Sequence, residues 1–210
     1  IIVPSSGKLI QQAERLAAMH RQHSGLTVKV VRADQLYNEF SSGTPDANAY
    51  RRYLKMLYDR ADDTTPAPRY VLLMGMSPWD NRFLTDDWKR ENPDDYLLAY
   101  EQDASNYNLG TVNSYITDDF YALLDDGEGE TIEREKPDLA TGRMIAITSE
   151  QAKVLVDKVE RYLTNVDAGE WKNNVVMLGD DGDANEHMED AERVSKEYVL
   201  GSNDRLNLSK

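Results

Sequence analysis

Arg69-Tyr70-Val71-Leu72-Leu73-Met74-Gly75 is the stretch on which the fold turns. Its apolar residues run without alternation, whereas a strand with one wet face alternates apolar and polar residues. The run therefore predicts a strand covered on both faces, as central strands of parallel sheets are. Pro66 and Pro68 break the chain before it, and Gly75 ends it.

Working outward from that strand, the chain alternates strand and helix signals. Ile1-Ile2-Val3 reads as a short strand, with Ser5-Ser6-Gly7 available to cap the next helix. Leu9, Ala13, Leu16, Ala17 and His20 fall on one face of a helix over 9–23 that Gly25 closes. Leu26–Val31 alternates and is β-branched, which predicts a second strand. After a loop and Asp46, a plausible cap, a helix over 47–60 presents Tyr50, Tyr53, Leu54, Leu57 and Tyr58 inward. On the other side, Ala140–Ile147 reads as a strand. A helix over 150–164 comes next, with Ala152, Leu155, Val156, Val159 and Leu163 on one face. Asn174–Gly179 is another buried-type strand, leading to an acidic turn and a helix over 184–200. Residues 76–140 break the rhythm with acids, turn signals and scattered aromatics, and short strands are expected at 112–115 and 120–124.

Strands alternating with helices imply βαβ units. The expectation is a doubly wound, mainly parallel α/β sheet with helices on both faces. A first subdomain would span 1–165, with an acidic insertion at 76–140. The polar linker at 166–172 would lead into the first βα unit of a second, truncated subdomain over 166–210.

Composition narrows the function. The 210 residues carry a formal net charge of −14, with 38 acidic against 24 basic residues. That disfavours nucleic acid and anionic lipid as partners, because both need clustered cations. There is no cysteine, hence no disulfide, thiol nucleophile or thiolate metal site. No apolar run reaches the roughly 18–20 residues of a membrane span. A strand beginning at Ile1, with no initiating Met, suggests a processed or excised piece.

In open parallel sheets ligands bind beyond the carboxyl ends of the strands. The loops after Val3, Gly75, Ile147 and Gly179 qualify. The first has no acid, which disfavours a phosphoacceptor receiver. The most acidic is Gly179-Asp180-Asp181-Gly182-Asp183-Ala184-Asn185-Glu186-His187-Met188. It stands where active sites of such folds stand, although capping of the next helix by Asp183 explains its acids equally well. Asp181 and Asp183 also fit a dehalogenase-like strand-Asp-x-Asp pattern, without its usual flanking residues. An EF-hand reading fails on Glu186, where the sharp turn wants Gly. The second cluster holds Asp118, Asp119, Asp125 and Asp126, a solvated loop or a possible calcium site. His20 and His23 sit at a helix end, and His187, in the first turn of the last helix, could orient or bridge. No GxSxG elbow, P-loop, HExxH or dinucleotide fingerprint is present.

Four blocks together carry a resemblance. They are Tyr70–Gly75 with Trp79-Asp80-Asn81-Arg82; Asn113–Asp126; Leu139–Arg143 with Ser149–Ala152 and Val156–Val159; and Val175–Asp183 with His187-Met188. In order and spacing, over about 1–200, they resemble the gingipain-like C25 cysteine peptidases, and among those the sortases of type IX secretion. Met76-Ser77-Pro78 departs from the family's usual turn. The resemblance implies a catalytic domain of two caspase-like subdomains and a His–Cys dyad carried beyond this chain's end, so this chain alone should be inactive. It implies an acid supporting the catalytic histidine, for which Asp180 and Asp181 are the candidates, and a substrate-pocket residue, for which the acid Asp183 is the nearest candidate and the amide Asn185 the alternative. No cofactor is implied. The implied substrates are exported polypeptides with C-terminal signals, the implied partners other secretion-system proteins, and the implied location the bacterial outer membrane, cell surface or exterior. The rival is a non-catalytic α/β binding or scaffold module.

Overall fold

The computed structural model describes residues 1–102, 115–200 and 207–209. They form two compact units, Ile1–Leu163 and Thr164–Lys210. In chain order the first holds β1 (Ile2–Val3), α1 (Ile10–His23), β2 (Val31–Arg32), α2 (Ala33–Phe40), α3 (Asn48–Asp59) and β3 (Tyr70–Met74). β4 (Tyr100–Gln102), β5 (Tyr115–Thr117), β6 (Ala140–Met144) and α4 (Ser149–Thr164) complete it. The main sheet has the order β2-β1-β3-β6, and each neighbouring pair is parallel.

Side chains alternate across this sheet and build two cores. Ile2, Val71 and Leu73 face α2, α3 and residues of the insertion. Val3, Leu72 and Met74 face α1 and α4. From Val71 to Met74 the run is apolar because both faces are covered, whereas Tyr70 at its start is 62% exposed. Each Leu fully buried in this way contributes roughly 1.5–3 kcal/mol. The helices therefore lie on both faces of a mainly parallel sheet.

Several local expectations change. The segment 26–30 is not a strand: β1 offers only Ile2 and Val3 as partners, for Val31 and Arg32. The preceding residues are tied to α1 instead, Leu26 N donating to His20 O at 3.2 Å and Arg21 donating to Val28 O at 2.5 Å. Helix α2 is an addition to the expected elements, although Ala33, Leu36, Tyr37 and Phe40 have helical spacing. The segment 120–124 is a 3-10 turn over Asp119–Ala122 with an extended tail, because all five side chains are buried and none can alternate to solvent. Of the expected strand 112–115, residues 112–114 lie outside the described residues, and Tyr115 opens β5, antiparallel to β4. Ser5 and Ser6 do not cap α1: its N-cap is Leu9, and Ile10 N donates to Gly7 O.

The second unit holds β7 (Asn174–Val176), α5 (Glu186–Val194), a π-helical turn over Ser195–Leu200 and β8 (Asn207–Ser209). β7 and β8 pair in parallel, so the unit is βαβ. α5 starts two residues later than expected because Ala184 and Asn185 are left-handed, at φ 58° and 71°. Val176 and Leu178 are exposed, at 68% and 96%. Among the described residues no helix is long and apolar enough to cross a membrane.

Candidate active-site loop

Two of the four strand-end loops are closed by the insertion. Beyond β3, a Cβ on Gly75 would lie 2.9 Å from Pro4 and 3.0 Å from Leu97, so glycine alone lets the insertion pack on the strand end. Leu97 N then donates to Met76 O at 2.9 Å. Beyond β1, Ser6 N donates to Asp94 O at 2.8 Å and Lys8 Nζ to Asp95 at 2.6 Å. Burial pushes the Asp95 carboxyl up, but hydrogen bonds from Lys8 and Ser6 outweigh it and hold the group below its ordinary range.

The acids of the second cluster are largely answered by the protein itself. Arg143 on β6 donates from Nε and Nη2 to both oxygens of Asp118, at 2.8 and 2.7 Å, and from Nη1 to Gly75 O at 3.0 Å. This pair is mostly buried, with 11% and 23% of the side chains exposed. Helix α3 holds the next stretch. Lys55 Nζ reaches Asp126 and Asp59, each at 2.9 Å, and Leu124 O at 3.0 Å. The Lys55 ammonium keeps the Asp126 carboxyl below its ordinary range. Arg51 donates to Leu123 O and Glu128 O, at 2.6 and 2.8 Å, and Tyr58 OH donates to Asp125 at 2.9 Å. Asp119 is exposed.

Asp118, Asp119, Asp125 and Asp126 are therefore not gathered on one point. Among the described residues the three acids that do converge are Asp125, Glu128 and Asp138, with ligand oxygens within 4.8 Å of one another. Each already accepts a protein hydrogen bond: Asp125 from Tyr58, Glu128 from Asp125 N at 2.9 Å, and Asp138 from Leu124 N at 2.7 Å.

The loop after β7 is built differently. A Cβ on Gly179 would lie 3.2 Å from both His187 O and Met188 Sδ, so glycine permits the strand end to lie against the first turn of α5. Ala184 and Asn185 reverse the chain between them, with Asn185 N donating to Gly182 O at 2.9 Å. The result places His187 Nδ1 2.8 Å from Asp180 Oδ1. Leu178, Gly179, Asp180 and His187 line one shallow recess. Asn185, the N-cap of α5 without a side-chain cap bond, lines another groove with Met188 and Glu189. Asp181 is exposed, and the side chain of Asp183 lies outside the described residues.

The structure thus separates two residues that the sequence left level: Asp180 engages an imidazole and Asp181 engages no side chain among those described. The partnership of His187 with Asp180 was not legible. They lie seven positions apart, and two consecutive left-handed residues bring them together. His20 bonds Ser24 Oγ at 3.2 Å at the end of α1, in keeping with a helix-end role.

A family model, peptidase family C25, matches residues 1–209. Among solved structures the chain is similar to latent, dimeric PorU from Porphyromonas gingivalis, with 37% sequence identity and a TM-score of 0.66. The match covers 81% of this chain and 16% of that one. No curated protein matches the chain. The resemblance supports a caspase-like, gingipain-type fold for the parallel sheet described above. With the family model spanning nearly every residue, the chain belongs to peptidase family C25, whose activity is that of a cysteine peptidase acting on polypeptides.

Proposed function

We propose that this chain is the front part of a gingipain-type cysteine endopeptidase and sortase that removes C-terminal secretion signals from exported proteins. The observation that carries the reading is the C25 match over residues 1–209, joined by the likeness to PorU. The family's chemistry needs a thiolate to attack the peptide carbonyl and a histidine to handle the proton. The 210 residues hold no cysteine, so the thiolate comes from sequence outside them, and in this reading the catalytic histidine does too. The first unit supplies a rigid α/β layer, and the loop after β7 borders the cleft. Asp183 or Asn185 contributes to the substrate pocket. The protein works at the outer membrane or cell surface of a bacterium with type IX secretion, beside other components of that system.

The test compares this chain with the longer polypeptide on a peptide bearing a C-terminal signal. The longer form is expected to cleave it and to lose activity on thiol alkylation, while the 210-residue chain shows none. Turnover by the chain alone would refute the missing-dyad account. A gene with no His-Gly block and no later Cys beyond Lys210 would favour a binding module instead.

A further inference from the structure

We propose that the turn Ser5-Ser6-Gly7-Lys8, at the carboxyl end of β1, is a carboxylate-binding site, and that Asp95 of the insertion fills it as a built-in ligand. In the order β2-β1-β3-β6 the chain goes from β1 towards one edge and from β3 towards the other. The crevice beyond these two strands is therefore the switch point, where open α/β sheets take their ligands. The turn opens α1, whose own residues leave its positive end unanswered. Its N-cap, Leu9, makes no side-chain cap bond, and its first turn holds no acid.

The acid comes instead from 87 positions along the chain. Asn92 accepts from Asp94 N and Pro93 opens a 3-10 turn over Pro93–Asp95, which sets the carboxylate at the strand end. Lys8 Nζ donates to Asp95 Oδ2 at 2.6 Å, Ser6 N donates to Asp94 O at 2.8 Å, and Asp95 is only 9% exposed. Its other oxygen, Oδ1, is buried and accepts no hydrogen bond among the described residues. A buried acceptor without a donor opposes folding. Asp95 is held there against that cost because the turn, with its cation at a helix N-terminus, attracts a carboxylate. The Lys8 side chain is 55% exposed, so without Asp95 a free carboxylate can reach the same cation from solvent. The place where such a sheet takes a free ligand is thus filled from within, whether or not the peptidase reading holds.

Chemical rescue tests this. Asp95→Ala should melt lower than the unaltered chain, and sodium formate should raise its Tm by roughly 2–4 °C over sodium chloride of the same ionic strength. The unaltered chain, whose site is full, should show no such difference between the salts. Asp95→Ala/Lys8→Met, which lacks the cation, should show none either. No rise in Asp95→Ala overturns the proposal. An equal rise in the unaltered chain or in the double variant means an adventitious ion only, and overturns it as well. Where Asp95→Ala does not fold in chloride, folding restored by formate supports the site, and no folding in either salt counts against it.

Discussion

The phenol oxygens of Tyr37, on α2, and Tyr50, on α3, lie 2.5 Å apart inside the core that faces the insertion. Tyr50 OH also accepts from Leu98 N at 3.3 Å, and Tyr121 OH donates to Leu98 O at 3.0 Å. Three phenols thus tie α2, α3 and both arms of the insertion together. Burial pushes the Tyr50 phenol up to about 12 and raises Tyr37 and Tyr121 as well.

Alkaline titration should expose this. A folded pKa above the unfolded value of about 10 means that the folded state keeps its proton longer. The stability from Tyr50 is then full below pH 10 and declines as pH rises from about 10 towards 12. Absorbance at 295 nm should show late-titrating phenols that ionise together with unfolding. Tyr50→Phe, which orphans the Tyr37 hydroxyl, should cost about 1–3 kcal/mol in a denaturant melt.

The Arg143–Asp118 pair should show strong coupling. Removing either partner leaves the other partly buried and unmatched, a loss of roughly 3–5 kcal/mol. Arg143→Met with Asp118→Leu should lose much less than the two single changes added together. Additive losses in urea melts would contradict the pairing.

Calcium offers a third check. Because Lys55, Tyr58 and main-chain N–H groups already meet the acids of 123–128, added calcium or chelator should leave the melting temperature of the unaltered chain unchanged. Lys55→Met should lower it. A rise with calcium in the unaltered protein would instead support a cation on Asp125, Glu128 and Asp138.

Gly75→Ala should destabilise the first unit by about 1–3 kcal/mol through overpacking, since the new methyl meets Pro4 and Leu97. Leu97→Ala in the same background should recover part of that loss, as the melt would show.

The sequence showed what depends on periodicity. The unbroken run at 70–74 announced a doubly covered strand, and helices α3 and α4 match their apolar spacing to within a residue or two. It hid what depends on distant partners. Leu26–Val30 has strand propensity, yet β1 is too short to pair with it. Phe120–Leu124 reads as a strand because nothing local says that all five side chains go inside. At the site, Asp180 and Asp181 were both visible as acids at a strand end. Only the left-handed turn that carries His187 back sets Asp180 against an imidazole, and Ala184, a residue that seldom adopts positive φ, gives no hint of it.

Arg51 and Lys55 grasp the acidic loop largely by the carbonyl oxygens of Leu123, Leu124 and Glu128. Main-chain oxygens are the same whatever side chain they belong to. Relatives are therefore free to drift in letters between 123 and 128 while the contour of that segment persists, provided the two cations on the helix stay.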